Sequence, residues 1–380
     1  MIARGARAIS LLSIALAAAL ASCVSSGGLG PGAGAAVAPV SPGSPSGSPS
    51  GDPAGGGLLT LGSDARPGPG VTGLLWLSDY EPSLRDGPGD SRVFVLDSGK
   101  PGATMLVVAG THANEIAGMT AATVLVERAV PAEGRLIVVP KLNSSGLSYV
   151  DGANPRPSWI RVEAVSGTRY LKYGARLVHP AHQGRPDPER YAHPGSRESL
   201  PGEEQRNINR AYPGYEDGPL AQRVALAVMR ILERERVDVA VDMHEARPSS
   251  KLKWIIVANP KNLDIAVNVV FDLEDKGIDL KLDRSSDEFR GLSHREWGDG
   301  SAAAAFLVET PNPAQESDPG LVVDQLRDPL FPLWKRVGAH LEALSSIAAN
   351  YSASSGAKAV RFEGAPDYET LERLGLESFL

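Results

Sequence analysis

Apolar residues recur along this chain in two rhythms. Short runs rich in Val, Leu and Phe, at residues 72–77, 92–96 and 104–109, read as strands. Residues 116–130 then predict a helix, with Ile116, Met119, Val124 and Leu125 marking its apolar positions. A short buried strand is expected at 135–139, and order resumes later with an amphipathic helix over 220–236. Strands at 237–241 and 254–258 follow, then a helix over 262–276 that Gly277 is placed to stop. A small-to-apolar strand at 303–308 and a final helix within 323–349 complete the pattern. The strand runs are continuously apolar, which suits a sheet covered on both faces. Strands interleaved with helices predict an α/β three-layer sandwich with a mixed central sheet, one domain over residues 58–352 and a tail over 353–380.

Residues 142–212 break this rhythm. They are rich in Pro, Gly, Arg and His, and so long an irregular stretch inside a domain usually lines a binding site. Within the whole chain, 42% hydrophobic and 22% charged residues allow a sizeable core. The formal net charge of -7 carries no basic bias, and no nucleic-acid partner is expected.

The N-terminus has a separate character. Arg4 and Arg7 precede a mostly apolar run, residues 8–20, shorter than the ~20 residues a membrane span needs. It ends in Leu20-Ala21-Ser22-Cys23, which resembles the bacterial lipobox cleaved just before its cysteine. Cys23 is the single cysteine of the chain, so no disulfide can form within it, and acylation would use an otherwise unpaired thiol. The other reading is an ordinary signal peptide with an incidental cysteine. Residues 1–22 are therefore expected as a lipoprotein signal and residues 23–57, almost purely Gly, Ser, Pro and Ala, as a disordered tether. The implied location is the bacterial cell envelope, with the membrane reached through lipid on Cys23. The glycines here are not phosphate loops, lacking a flanking strand and helix.

Four short constellations carry chemistry. Gly110-Thr111-His112-Ala113-Asn114-Glu115 sits where a strand gives way to a helix, so His112 and Glu115 can face one point as zinc ligands. Taken alone, the pair is equally a surface histidine and a glutamate favoured by a helix N-terminus. Asp242-Met243-His244-Glu245 follows a strand and offers His244 as a third ligand. Two His and one Glu leave a fourth position open, the arrangement of a catalytic zinc. Asn209-Arg210, within Asn207-Ile208-Asn209-Arg210-Ala211-Tyr212-Pro213-Gly214, places a guanidinium fork beside an amide, suited to a substrate carboxylate. Glu309 ends an apolar strand, where desolvation raises a carboxyl's pKa and suits it to general-base work. His179, His182 and His193 form a second, weaker candidate for a metal site.

The order of these motifs, with Pro140-Lys141-Leu142-Asn143-Ser144-Ser145-Gly146 between the first pair and Asn209-Arg210, resembles the zinc carboxypeptidase superfamily. The similarity is greatest to its succinylglutamate desuccinylase and aspartoacylase branch and covers residues 103–310. The resemblance implies one Zn2+ per chain on His112, Glu115 and His244. Glu309 would take a proton from the attacking water, and Asn209, Arg210 and Asn143 would contact substrate. A further arginine would steady the oxyanion, for which Arg197 and Arg206 are the upstream candidates.

Where the family carries an aspartate that orients a zinc histidine, this chain has Asn207. The chain after Glu309 also ends more like a carboxypeptidase than in the β-rich domain of aspartoacylases. The expected activity is hydrolysis of an amide bond beside a free carboxylate, in a peptide or an N-acyl amino acid. The alternative is a catalytically inactive ligand-binding lipoprotein on the same fold.

Overall fold

Eight strands form one sheet, and their order decides where chemistry can be built. In chain order they are β1 (Val71–Trp76), β2 (Arg92–Asp97), β3 (Thr104–Ala109), β4 (Arg135–Val139), β5 (Val239–Ala246), β6 (Ile255–Ala258), β7 (Lys281–Arg284) and β8 (Ala304–Pro311). Across the sheet the order is β1-β2-β4-β3-β5-β8-β6-β7. The centre, β4-β3-β5-β8, is parallel, while β1, β2 and the β8–β6 pair run antiparallel, so the sheet is mixed. This computed structural model describes residues 65–149, 159–196, 198–316, 323–356 and 358–380. The expected signal, Cys23 and the expected tether lie outside the described residues, as does Arg197. No helix among the described residues is long and apolar enough to cross a membrane.

Among the described residues six helices cover the two faces: α1 (Ile116–Arg128), α2 (Leu220–Arg234), α3 (Leu263–Glu274), α4 (Ser293–Gly300), α5 (Leu333–Ser355) and α6 (Tyr368–Leu374). Alternate residues of the strands feed two separate cores, as the pleat requires. Met105, Val107, Val241, Met243, Phe306 and Val308 pack with α1, α3, α5 and α6. Leu106, Val108, Ala240 and Ala305 pack on the other side with α2 and with Trp297 of α4. The expected three-layer α/β sandwich with a mixed central sheet is what the chain forms. Every residue of β3 and β5 is buried, as the apolar run of β3 required, although β5 carries Asp242, His244 and Glu245 into the interior.

Two glycines set the path and the packing of the segment around α1. Gly110 has φ +67°, the left-handed region that β-branched and bulky residues avoid, and it swings the chain from the end of β3 toward His112. Gly118 lets α1 lie directly on β5, because a Cβ there would sit 2.9 Å from the carbonyl oxygen of Met243. Gly277, at φ +77°, stops α3 as the sequence indicated.

Several elements differ from the pattern-based reading. β5 continues five residues past the expected end at Val241, through Asp242, His244 and Glu245. The irregular stretch contains a hairpin, Trp159–Ala164 with Gly167–Lys172, and a two-residue pairing of Arg190–Tyr191 with Leu200–Pro201. Residues of the expected tail include a strand, Arg361–Glu363, paired with Val130–Glu133, and α6, whose Leu371 is fully buried together with the terminal Leu380.

Candidate metal centre

The parallel strands β3, β5 and β8 end side by side, and their carboxyl ends frame the site, the usual place for ligands in such sheets. His112 and Glu115 come from the turn after β3 and His244 from β5, and all three are buried. His112 Nδ1 lies 2.8 Å from Glu115 Oε1, and His244 Nδ1 lies 3.0 Å from Glu115 Oε2. The two Nδ1 atoms are 3.2 Å apart. Ligands held about 2.1 Å from a tetrahedral zinc sit roughly 3.4 Å from one another, so this triangle is close to the size such an ion needs. It is also the only group of three or more such donors among the described residues.

The far nitrogens are committed in a way that leaves the near ones free. His112 Nε2 lies 3.0 Å from Asn207 Oδ1. His244 Nε2 lies 2.9 Å from Asp242 Oδ2, close enough for the charge to favour a proton there, although the angle falls short of a hydrogen bond. Asp242 is itself steadied by the hydroxyl of Thr111, which donates at 2.9 Å. Partners of this kind fix the tautomer and raise ligand basicity. The donor set and its surroundings therefore fit a zinc ion.

Charge in the cluster follows from burial and proximity. Burial opposes ionisation of Glu115, but the two imidazoles and their hydrogen bonds outweigh it and hold the carboxyl well below the usual range. Burial lowers His112, reinforced by Arg176, whereas Asp242 and Glu115 overcome burial at His244 and raise it well above its ordinary value. Glu309 faces the cluster from β8, in register with His244 on β5. Burial pushes its carboxyl up to about 8, with His244 opposing and Glu115 adding. Its Oε2 is buried without a hydrogen-bond partner.

The pleat sorts the consecutive residues of Asp242-Met243-His244-Glu245. Asp242 and His244 turn to the site, while Glu245 turns to α5 and pairs with Arg336, both side chains wholly buried. Glu245 Oε2 also accepts from the Ala117 N–H at 2.9 Å and the Asn312 amide at 3.2 Å. Its own backbone N–H donates to Glu115 Oε2 at 3.1 Å. One residue thus ties the Glu115 carboxylate, α1 and α5 together.

The irregular stretch supplies the opposite wall. Arg176, which no sequence motif singled out, brings a guanidinium nitrogen 3.1 Å from His112 Nδ1 and 3.8 Å from Glu115 Oε1. Asn143 reaches this wall indirectly: its amide donates to the Arg176 carbonyl at 3.2 Å and its Oδ1 accepts from Gly146 N–H at 2.8 Å. Asn209 and Arg210 are buried in a short 3-10 turn beside the site. The Asn209 Oδ1 accepts from Ser293 N–H at 2.8 Å, and the charge of Arg210 bears on Glu204 and His294. Arg206 is engaged elsewhere, its Nε bonding both oxygens of Asp187 at 2.9 and 3.0 Å. The arginine that the structure brings to the cluster is therefore Arg176 rather than Arg206.

The three loop histidines do not converge. The His179 and His182 rings lie 4.6 Å apart, with Ser145 Oγ 2.9 Å from His182 Nδ1. His193 uses both nitrogens locally, Nε2 toward the Tyr212 carbonyl at 2.8 Å and Nδ1 toward Gly195 N–H at 3.1 Å. His294, on α4, is a buried histidine near Asp242 and His244 that the motifs did not mark, and burial takes it down to about 3. Its only signal was a histidine in a helix N-terminal turn, which is common without function.

Fold and site together define an α/β sandwich with a buried His-Glu-His cluster, able to hold a metal ion, at the carboxyl ends of its central strands. No protein family matches the chain, and no curated protein does either. Among solved structures, the chain is similar to the product-bound cell shape determinant protein Csd4 of Helicobacter pylori, at 12% identity and a TM-score of 0.45. That match covers 72% of this chain and 55% of Csd4. The ectoine utilization protein EutE of Ruegeria pomeroyi gives 17% identity and 0.42, covering 70% and 64% of the two chains. An aspartoacylase family protein of Mesorhizobium loti gives 19% and 0.37, covering 68% and 61%. This chain thus spans between 55% and 64% of the length of these three proteins.

Proposed function

We propose that this protein is a zinc-dependent hydrolase that cleaves an amide bond adjacent to a free carboxylate. The observation that carries this reading is the convergence of three buried candidate ligands with a second carboxylate, the half-buried Glu309, whose buried Oε2 has no hydrogen-bond partner. A binding protein has no need of such a group. Zinc bound there would supply a Lewis acid whose charge polarises the substrate carbonyl, acidifies water and draws the Glu309 carboxyl back toward ionisation.

The chain's own residues do the rest. Glu309 Oε2 takes a proton from the attacking water and hands it to the departing nitrogen, a task suited to a carboxyl poised near neutrality. Arg176 offers its guanidinium to the carbonyl oxygen as negative charge develops there. Arg210, with Asn209 setting the turn, holds the substrate carboxylate, where a planar fork can make two parallel bonds. Asn143 positions Arg176 through its backbone. By the sequence reading, lipid on Cys23 and the Gly/Pro/Ser tether would hold this chemistry at a bacterial cell envelope.

The test combines metal analysis with a hydrolysis panel of peptides and N-acyl amino acids. About one zinc per chain is expected, with turnover lost in Glu309→Gln while zinc stays bound. A folded protein that takes up no zinc would sink the reading. Zinc uptake without turnover on any substrate supports the ligand-binding alternative instead.

A further inference from the structure

Asn207 occupies the position behind His112 where a carboxylate would be the stronger partner, yet a carboxylate is present one step further back. The Asn207 amide nitrogen donates to Glu204 Oε2 at 2.7 Å. Its oxygen accepts from Asn209 N–H at 2.9 Å and lies 3.0 Å from His112 Nε2. A backbone N–H can only donate and an ionised carboxylate can only accept, so the amide can be seated in one orientation alone. In that orientation His112 must present its proton at Nε2, which leaves the Nδ1 lone pair facing Glu115 and His244. The other oxygen of Glu204 lies 4.0 Å from Arg176 Nε, so the same side chain bears on both walls of the site. Glu204 is buried, whereas its neighbour Glu203 is exposed.

We propose that Glu204 is a positioning residue for the metal centre: its carboxylate fixes the Asn207 amide, and through it the His112 tautomer, so that Glu204 and Asn207 together do the work of a single orienting carboxylate. This rests on the reading of His112, Glu115 and His244 as metal ligands. Two simpler roles compete with it. Asn207 could serve only to cap its turn through Asn209 N–H, and Glu204 only to pair with Arg176.

A charge-exchange cycle separates them, measured on the full chain as zinc affinity by competition with a chromogenic chelator. Glu204→Gln removes the charge and is expected to weaken zinc about three- to tenfold, below the ~10- to 100-fold typical of partners bonded directly to a ligand. Asn207→Asp alone places two carboxylates across a 2.7 Å contact and is expected to weaken zinc about tenfold. The double variant moves the single charge one residue closer and is expected to return to within about threefold of wild type or tighter. Glu203→Gln serves as the exposed control and is expected to change nothing. Additive effects, or tighter zinc binding in Asn207→Asp alone, overturn the proposal.

A second readout does not depend on zinc. In 15N-histidine-labelled protein treated with chelator, His112 is expected as the Nε2–H tautomer, and Glu204→Gln is expected to admit the Nδ1–H form. If no variant binds zinc, the metal reading fails while this spectrum still decides the role of Glu204. An unchanged tautomer there overturns it.

Discussion

Replacing Glu309 with glutamine should make the metal-free protein more stable as well as inactive. Burial raises the Glu309 carboxyl from 4.5 to about 8, so at pH 7 the folded chain holds it mostly protonated while the unfolded chain leaves it ionised. Folding must then take up a proton against a gap of about 2.5 pH units, which costs about 3 kcal/mol at ~1.4 kcal/mol per unit. The folded state binds more protons than the unfolded one, so stability falls as pH rises from about 4.5 to about 8 and levels off beyond. Glutamine keeps the shape and cannot titrate. The stabilisation in Glu309→Gln is therefore expected to be near zero at pH 4.5 and to grow to about 3 kcal/mol by pH 7. Urea unfolding of chelator-treated wild type and variant at several pH values measures it directly. Chelation matters, because an ion that binds only the folded state adds its own pH dependence. A difference that stays constant across that range, or a variant destabilised throughout, would refute the reasoning. With zinc restored, turnover should drop about 10²- to 10⁴-fold, the usual range for a lost general base.

Other consequences are equally specific. Arg176→Ala should lower kcat/KM about 10²- to 10³-fold with zinc content unchanged, and an activity near wild type would remove Arg176 from the oxyanion role. Arg336→Met leaves the buried Glu245 carboxylate unpaired and should cost about 3–5 kcal/mol in denaturant unfolding. Adding Glu245→Met removes the unpaired charge but also the acceptor of Ala117 N–H and the Asn312 amide, so partial recovery is expected. No recovery at all would mean that the charge was not the cause of the loss. Burial, with the charges of His244 and Arg336, takes His340 from 6.5 to about 3. Its neutral form is favoured above pH 6.5, and that stability is lost as pH falls toward 3, about 2 kcal/mol of it by pH 5. His340→Gln should therefore flatten acid unfolding followed by circular dichroism, and an identical acid profile would count against it.

The apolar runs by themselves determined seven of the eight strands of the central sheet, because a strand buried on both faces has little choice but to be apolar; the edge strand β7, Lys281–Arg284, is polar and half-exposed and gave no such signal. They also determined that a turn with His112 and Glu115 follows β3, since Gly110 can adopt a left-handed conformation there and the helix begins directly afterwards. Where charged residues enter an element, pattern failed. β5 was expected to end at Val241 because Asp242, His244 and Glu245 read as loop, yet the strand runs to Ala246. Each of those residues is accommodated by a partner that lies far along the chain, Thr111 for Asp242, Glu115 for His244 and Arg336 for Glu245. Arg176 and Glu204 carry no motif and sit in a stretch without periodicity, so only the folding of residues 142–212 over the strand ends brings them to His112. The cluster of His112, Glu115 and His244, which could hold a metal ion, was legible because its residues are spaced by local geometry, along a turn and toward the carboxyl end of a strand. Its tuning was not, because hydrogen-bond partners across 95 residues of chain, as between His112 and Asn207, are chosen by tertiary packing alone.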